Sequence, residues 1–277
     1  MTPLAPQDIP KALDWLQSHA TGPIFLESNL RNHGLAGDAF SVRIWRAGAR
    51  GMVGLTGNGI LLPQMTHATQ ADWQALRATL AGETITAMNG EAAQIDRLPV
   101  LLGLQGAKTN LHKTEPGFTL NLSDLIMPAA EGLHLAPIRP QDEALMAEWR
   151  AAYMVETLGQ SPEAAAPEAA RQIARARAED SHRILWRGAQ PVSFTGFNAR
   201  LPGLVQIGGV YTPPALRAQG LARAAVALHL AEARGQGVTR ATLFAASDNA
   251  ARAYKAIGFR RAGDVTLILY AAPQVIA

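Results

Sequence analysis

The stretch Gly208–Ala222, read as GGVYTPPALRAQGLA, joins an apolar strand to a long helix. The predicted strand, Leu204–Tyr211, ends where Pro213 and Pro214 follow, because proline lacks the N–H group that a strand ladder needs. A short turn then leads into an alanine-rich helix, predicted over 217–236. The first turn of a helix has unpaired N–H groups and the positive end of the helix dipole, so this arrangement favours phosphate binding.

The composition is that of an ordinary globular chain with an ample core. Its 277 residues suggest one large or two modest domains, at roughly 100–200 residues per domain. The lack of cysteine excludes disulfides, thiolate metal sites and a cysteine nucleophile. The net charge is +3 and the arginines are spread along the chain. This indicates a surface suited to an anionic small ligand more than to nucleic acid.

The sequence lacks the usual signals of membrane, secreted and metal-binding proteins. The N-terminal residues MTPLAPQDIPK have no apolar signal-peptide core, and no run approaches the roughly 20 apolar residues of a membrane span. We therefore expect a cytoplasmic protein that binds neither membranes nor nucleic acid. No HExxH motif or other metal-ligand spacing occurs, so no metal is expected.

The hydrophobic pattern predicts a similar order of elements twice, with two helices, three strands, a helix, a strand, a helix and closing strands. The predicted helices are 7–18, 25–35, 71–80, 91–104, 142–158, 162–178, 217–236 and 249–257. The predicted strands are 40–47, 51–56, 59–65, 83–88, a pair within 108–125, 134–138, 182–186, 192–199, 204–211, 239–245, one near 259 and 265–270. Ile126–Gly132 is the predicted linker. The pattern favours a duplication with domains 1–128 and 133–277; chance repetition is the alternative.

Two motifs of the second half resemble those of the GNAT superfamily of acyl-CoA-dependent acetyltransferases. Arg217–Ala222, read as RAQGLA, fits the family signature Gln/Arg-x-x-Gly-x-Gly/Ala at the start of a helix. Asn249–Phe259, read as NAARAYKAIGF, matches a second family element at family-like spacing. The resemblance covers 133–271. With the repeated element order, it implies an α/β (α+β) protein of tandem GNAT-like folds, each a twisted mixed sheet flanked by helices.

In this family the helix start binds the pyrophosphate of coenzyme A. The resemblance gives that role to Arg217, Ala218, Gln219, Gly220, Leu221, Ala222 and Arg223. Backbone N–H groups can do this without lysine or magnesium, and Gly220 has no Cβ to hold a ligand away. The sequence does not fit a P-loop, which needs Lys and Ser/Thr after the glycine. For Arg223, a solvated side chain is an equal alternative to phosphate contact.

The resemblance also places the rest of the coenzyme. In the family, the strand before this turn parts from its neighbour, and the pantetheine arm pairs with its backbone. The matching positions are Val210, Tyr211 and Thr212. Asn249 is expected to cap its helix and contact the coenzyme, with capping alone as the alternative.

The family places a tyrosine near the coenzyme sulfur, where it protonates the departing thiolate, and the matching residue is Tyr254. A phenol, with a pKa of about 10, is protonated at neutral pH and can donate a proton. Packing between helix and sheet is the alternative role for this side chain.

The general base is harder to assign. An amine must lose a proton before it attacks a thioester. Glu156 is the candidate because it ends helix 142–158, where the family builds its substrate wall. Tyr153 and Met154 precede it, and we expect partly apolar surroundings that raise its pKa. A surface glutamate is the alternative, and the internal histidines His182 and His229 are interpreted as structural.

The first half departs from the family pattern. The helix that corresponds to the phosphate-binding one follows PQMTHATQAD at 63–72, with no Arg-x-x-Gly-x-Ala motif. The later helix 91–104 has no matching Asn and Tyr. This domain is therefore predicted to have lost coenzyme binding and to supply a wall of the substrate site or an oligomer contact. The glycine-rich run 51–59 is interpreted as a hairpin and not as a dinucleotide-binding loop.

The resemblance implies transfer of an acetyl group from acetyl-CoA, as cosubstrate, to a primary amine by direct attack. The expected partner is a small-molecule or peptide amine, and the oligomeric state is left open, with a homodimer as one option. The competing function is a non-catalytic acyl-CoA sensor or a partner-binding pseudoenzyme, because both would keep the same motifs. The acceptor cannot be identified from the fold.

Overall fold

The computed structural model of the protein describes residues 1–19 and 22–277. The chain divides into two compact units, one formed by Met1–Glu115 with Gly263–Ala277 and the other by Pro116–Ala262. The last residues of the chain thus belong to the first unit, which differs from the predicted domains 1–128 and 133–277. Compactness alone does not show where two duplicated domains meet in the sequence. The domain boundaries at 128 and 133 therefore remain a prediction.

The elements are named here in chain order. The strands are β1 (Thr2–Pro3), β2 (Val42–Arg46), β3 (Met52–Thr56), β4 (Ile60–Gln64), β5 (Thr84–Glu91), β6 (Thr109–Asn121), β7 (Leu133–Pro137), β8 (His182–Arg187), β9 (Gln190–Leu201), β10 (Leu204–Tyr211), β11 (Arg240–Phe244) and β12 (Arg260–Val275). The helices are α1 (Ile9–His19), α2 (Phe25–His33), α3 (Gln70–Thr79), α4 (Ala92–Ile95), α5 (Leu98–Leu101), α6 (Glu143–Leu158), α7 (Pro162–Ala178), α8 (Leu221–Gly235) and α9 (Asp248–Lys255).

The first unit is a mixed sheet with strand order β1-β2-β3-β4-β5-β12. All neighbours in it are antiparallel except β4 and β5, which are parallel and joined through α3. Successive side chains of a strand face opposite sides of a sheet. Accordingly, Met52 packs with α1 and α2, while Val53 packs with α3.

The second unit repeats this arrangement. Its strand order is β7-β8-β9-β10-β11-β6, and all neighbours are antiparallel except β10 and β11, which are parallel and joined through α8. Ile184 and Phe194 pack against α6 and α7 on one face, and Leu185 packs against α8 on the other. Each unit is therefore a mixed sheet flanked by helices, as the sequence predicts.

Most predicted elements are present, and the glycine-rich run at 51–59 forms the antiparallel hairpin β3–β4. The helix predicted over 91–104 is wrong, because two single turns, α4 and α5, replace it around Pro99. The strand pair predicted within 108–125 is one strand, β6, followed by a short 3-10 turn. No helix among the described residues is long and apolar enough to cross a membrane.

Candidate functional site

β10 parts from β11 within the second unit. Their parallel register runs over Leu204–Gln206, whereas β10 continues to Tyr211. On its other edge β10 has a bulge, because three steps from Gly208 to Tyr211 face two steps on β9. Gly209 provides the left-handed backbone of this bulge, with φ of 64°. The strand edge after Gln206 therefore borders a gap, at the place where the sequence predicts a pantetheine arm.

The strand end beside this gap is fixed by side chains. Ser193 Oγ donates a hydrogen bond to the Tyr211 carbonyl at 3.0 Å and lies 2.9 Å from Thr212 Oγ1. Tyr211 and Thr212 are buried, and Val210 is half-buried. The predicted pantetheine positions thus form a rigid strand end, which suits recognition through backbone amides.

The predicted phosphate turn has two residues in the left-handed region. Ala218 has φ of 63° and Gly220 has φ of 74°. The left-handed region costs a residue with a Cβ about 1–2 kcal/mol, and such strain concentrates at ligand sites. α8 begins at Leu221 and not at the predicted Arg217, because Gly220 in this conformation is the residue that precedes its first turn.

The start of α8 is open to an anion. Among the residues that the structure describes, no side chain caps it. Its first N–H groups, from Leu221 to Arg223, therefore lack intrahelical partners, as at every helix start. Arg223 Nη2 lies 3.3 Å from the position that a Cβ on Gly220 would take. Its Nε is buried without a hydrogen-bond partner in the described part of the chain. A guanidinium with spare donors thus lies over the glycine of the turn.

The matching helix start in the first unit is already occupied. At α3, Thr69 N donates to Asp72 Oδ2 at 2.8 Å, and Asp72 N donates to Thr69 Oγ1 at 3.3 Å. Arg50 adds two bonds of 2.7 Å to the Asp72 carboxylate. Hydrogen bonds from Arg50 and Thr69 hold the pKa of this carboxyl well below its usual range. The Asp72 carboxylate already occupies the start of α3, where a phosphate would bind. This supports the predicted loss of coenzyme binding in the first unit.

Tyr254 lies in the core beside the strand end. It is 7% exposed and meets the ring of Phe259 edge-on, with centroids 6.1 Å apart. The hydrophobic cluster that contains it also includes the half-buried Val210. The packing role named as the alternative is therefore present. Val210 also borders the gap after Gln206. The cluster that contains Tyr254 therefore lies next to that gap.

Asn249 does not cap α9. Ser247 is the cap, and its Oγ accepts a hydrogen bond from Ala250 N at 3.2 Å. Asn249 is exposed on the first turn, and its Oδ1 accepts from Arg252 Nη2. The capping interpretation is wrong because the helix starts one residue earlier than predicted. Contact of Asn249 with a coenzyme stays a prediction.

Glu156 and Arg217 form an ion pair. Arg217 Nη2 is 2.6 Å from Glu156 Oε2, and Arg217 Nε donates to the Thr212 carbonyl at 3.0 Å. The Tyr211 hydroxyl donates to Glu156 Oε1 at 3.4 Å. Burial, and next the Glu156 charge, raise the pKa of Tyr211. The partly apolar setting expected for Glu156 is not found, since its side chain is 41% exposed and faces a guanidinium.

The Glu156–Arg217 pair also changes the interpretation of the turn. The Arg217 side chain contacts α6 and the end of β10, while Gln219 Oε1 accepts from Arg187 Nη2 at 3.1 Å. Both side chains are engaged with protein groups, so the backbone of the turn and Arg223 are the parts left for an anion. An open groove of about 580 Å³ between α6 and α7 reaches Glu156.

Sequence reasoning missed a half-buried arginine of α6, Arg150, whose Nη1 is fully buried. Arg150 Nε donates to Gln172 Oε1 at 2.7 Å, and its guanidinium lies over the Tyr153 ring at 4.9 Å. Nothing in the local sequence distinguishes it from the other arginines. His229 is buried and His182 is half-buried, and desolvation lowers the pKa of each. Among residues 1–19 and 22–277, no group of three or more His, Asp or Glu side chains could hold a metal ion.

Residues 144–259 match the model of the acetyltransferase (GNAT) family. The matched segment contains both motifs, Arg217–Ala222 and Asn249–Phe259, so the resemblance to the GNAT family is confirmed over this part of the chain. The match supports acyl transfer as its general activity. None of the curated proteins matches the sequence.

Solved structures share the fold over nearly the whole chain. A GCN5-related N-acetyltransferase from Kribbella flavida is 17% identical with a TM-score of 0.60, over 89% of this chain and 93% of that chain. A tandem GNAT protein from the clavulanic acid biosynthesis pathway is 16% identical with a TM-score of 0.56, over 99% and 98%. A Drosophila protein is 16% identical with a TM-score of 0.63, over 96% and 97%. These likenesses confirm the predicted tandem GNAT-like fold.

Proposed function

We propose that the second unit transfers an acetyl group from acetyl-CoA to a primary amine by direct attack. The observation that carries this proposal is the uncapped start of α8 with Ala218 and Gly220 in the left-handed region, directly after the strand that parts from β11. A pyrophosphate fits the free N–H groups of the turn. The extended arm then follows Thr212 back to Val210 along the open edge of β10.

In the reaction, the amine nitrogen bonds to the acetyl carbonyl carbon and the carbon–sulfur bond breaks. The products are an amide and the free thiol of coenzyme A. We assign Tyr254 as the acid that gives its proton to the departing sulfur, and Glu156 as the group that takes the proton from the amine. A carboxylate can do this directly or through a water.

The first test is release of free thiol from acetyl-CoA with a panel of amines, amino acids, polyamines and peptides. We expect thiol release that depends on the amine, together with formation of the N-acetyl product. Tight binding of coenzyme A without turnover on any amine would instead favour the acyl-CoA sensor. Cytoplasmic location, a single active unit and a homodimer stay predictions that this assay does not address.

Arg223→Met is expected to weaken coenzyme A binding. A hydrogen bond to a charged group contributes about 1.5–3 kcal/mol, which corresponds to roughly 10–150-fold in Kd. Because only the phosphates would contact this guanidinium, the Kd of pantetheine should change little in the same variant. Calorimetric titration with both ligands measures the difference. An equal loss for both ligands, or no loss, would remove Arg223 from phosphate binding.

Glu156→Gln tests the base. If Glu156 accepts the amine proton, kcat should fall by about 10²-fold or more, with the Kd of acetyl-CoA unchanged. Gln keeps a polar oxygen for Tyr211 but loses the charge that pairs with Arg217. If the residue acts only by holding Arg217 beside the turn, the loss will appear in acetyl-CoA affinity while kcat is retained. Stopped-flow binding and steady-state kinetics separate the two results.

A further inference from the structure

Arg150 is half-buried, and among residues 1–19 and 22–277 no carboxylate forms an ion pair with it, although Glu168 attracts its charge from a greater distance. Its Nη1 is buried and has no hydrogen-bond partner there. Arg183, in the same unit, is a buried arginine that is paired with carboxylates, as is usual. That guanidinium is 6% exposed and lies 2.7 Å from Asp180 and 2.6 Å from Glu232. A buried donor without an acceptor is costly, so the unsatisfied Nη1 of Arg150 requires an explanation.

The side chains of Gln172 and Tyr153 hold the Arg150 guanidinium in one orientation. Gln172 Oε1 accepts from Nε at 2.7 Å, and Gln172 Nε2 donates in turn to Glu168 Oε1 at 2.8 Å. The ring of Tyr153 lies 4.9 Å from Cζ. Desolvation lowers the pKa of the guanidinium, although arginine remains charged at neutral pH. The charge is thus fixed in place and poorly solvated.

The unpaired donor lies against the bulge of β10. Nη1 is 2.6 Å from the position that a Cβ on Gly209 would take. Next to it, the side chain of Asn198 occupies the space where a Cβ on Gly208 would be, and Asn198 is exposed. Two successive glycines therefore let polar side chains approach the strand backbone. One of these side chains, Asn198, is exposed and extends from the strand backbone to solvent.

The bulge at Gly209 lies just beyond residues 210–212, to which the pantetheine arm is assigned. With the pyrophosphate at 218–223 and the arm along 212–210, the reactive end of the coenzyme would be near Gly209. That step rests on the proposed function. An acceptor that reaches the thioester from the side of α6 would then pass Arg150.

The surroundings favour an anion. Burial, and next the charge of Arg150 with smaller contributions from Arg200 and Arg183, lower the pKa of His182 to about 3. His182 is therefore neutral at pH 7, and its ring lies across Gly196 on the same sheet. Because Asp180 and Glu232 already pair with Arg183, the charge of Arg150 is the one expected to attract a carboxylate.

We propose that Arg150 binds a carboxylate of the acceptor, so that the acceptor is an amine that also carries a carboxyl group. A carboxylate can accept two parallel N–H bonds from a guanidinium and would give Nη1 the acceptor that it lacks in the described chain. Glu156, the proposed base, lies six residues further along α6, which is about 9 Å along the helix axis at 1.5 Å per residue. The amine and the carboxylate would thus be bound by groups on one helix.

The wild-type protein provides the first test. Acceptors are ω-amino acids of increasing chain length, each compared with its own amide, in which only the charge is removed. We expect at least one amino acid to exceed its amide about 10–150-fold in kcat/KM, the range for a hydrogen bond to a charged group. Turnover of the amides at the same rates would overturn the role of Arg150 while leaving the transferase function intact.

The variant test uses Arg150→Met, with Arg150→Lys as the charge-retaining form. Arg175→Met, an exposed ion-paired arginine of α7, is the matched control. Arg150→Met should remove the preference for the carboxylate, and Arg150→Lys should keep part of it. The control should match the wild type. Unchanged preference in a folded Arg150→Met protein would overturn the proposal; if that variant does not fold, the comparison of acids with amides in the wild type decides.

A binding measurement separates the two proposals if no acceptor turns over. N-acetyl amino acids and the corresponding N-acetyl amides are titrated calorimetrically into the protein saturated with coenzyme A. Binding of the acid alone, lost in Arg150→Met, would support the carboxylate site even when the transferase function fails. Equal binding of both forms, or of neither, would overturn it.

Discussion

Tyr254→Phe is expected to lower kcat for acetyl transfer by about 10²–10⁴-fold, the range for loss of a positioned general acid. The Kd of acetyl-CoA should stay within about twofold, since the ring keeps its contacts and only the hydroxyl is removed. In the structure the ring is packed against Phe259 in the cluster that includes Val210. Loss of the hydroxyl should therefore affect the leaving sulfur and not the fold. Steady-state kinetics with the best amine, and thermal unfolding, measure the two parts.

The matched control is Tyr270→Phe. Tyr270 is equally exposed at 7% but belongs to the core of the first unit, where its hydroxyl lies 3.8 Å from Met88 Sδ. This variant should keep both kcat and acetyl-CoA affinity. Full kcat in Tyr254→Phe would remove Tyr254 from the mechanism. A fall in Tm with unchanged kcat would leave it the packing role alone.

The parts of the fold and site that sequence reasoning could predict are those with a local cause. Pro213 ends β10 at Tyr211, and Ser161 with Pro162 begins α7 where the pattern places it. The phosphate turn could be predicted from the order of strand, glycine-containing turn and helix, although the helix begins at Leu221 and not at the predicted Arg217. The hairpin at 51–59 follows from its glycines in the same way. Each of these depends on backbone geometry within a few residues.

The errors have causes that a local pattern does not contain. Residues 91–104 have helical apolar spacing, but Pro99 fits only the first turn of a helix, so the chain breaks after α4 and begins again as α5. Gly103, with φ of 75°, follows the end of α5. The shift of the α9 cap to Ser247 is a change of one or two residues, within which helix boundaries are uncertain. The pairing of Glu156 with Arg217 joins residues far apart in sequence, so its neighbours in the chain could not reveal it.

Arg150 illustrates the same limit for function. In the sequence it is one of many arginines on a predicted helix. Only the fold shows that its Nη1 is buried, that Gln172 holds its guanidinium and that it lies against the Gly209 bulge. The lack of a hydrogen-bond partner for Nη1 in the described chain, which carries the proposal, is a property of tertiary packing and has no sequence signature.

Deletion of Gly263–Ala277 is expected to unfold the first unit while the second stays folded. The deleted segment contains most of β12, whose register with β5 begins at Val265 opposite Glu91. It also provides Ile268, Tyr270 and Ile276, all buried in the core of the first unit. Truncation of one large core side chain to alanine costs about 2–5 kcal/mol. Loss of three such side chains and a strand should therefore exceed the roughly 5–15 kcal/mol of a typical domain.

Two point variants within β12 control for this deletion. Ile268→Ala should cost about 2–5 kcal/mol because the side chain is buried, whereas Val275→Ala should change stability by at most about 0.5 kcal/mol because Val275 is 65% exposed. Limited proteolysis with mass spectrometry should show the deletion protein cut within 1–115 and protected within 116–262. Protection of 1–115 in that protein would contradict the division observed in the structure and favour the sequence boundary at 128 and 133. Because the predicted coenzyme residues all lie in Pro116–Ala262, acetyl-CoA binding should survive the deletion.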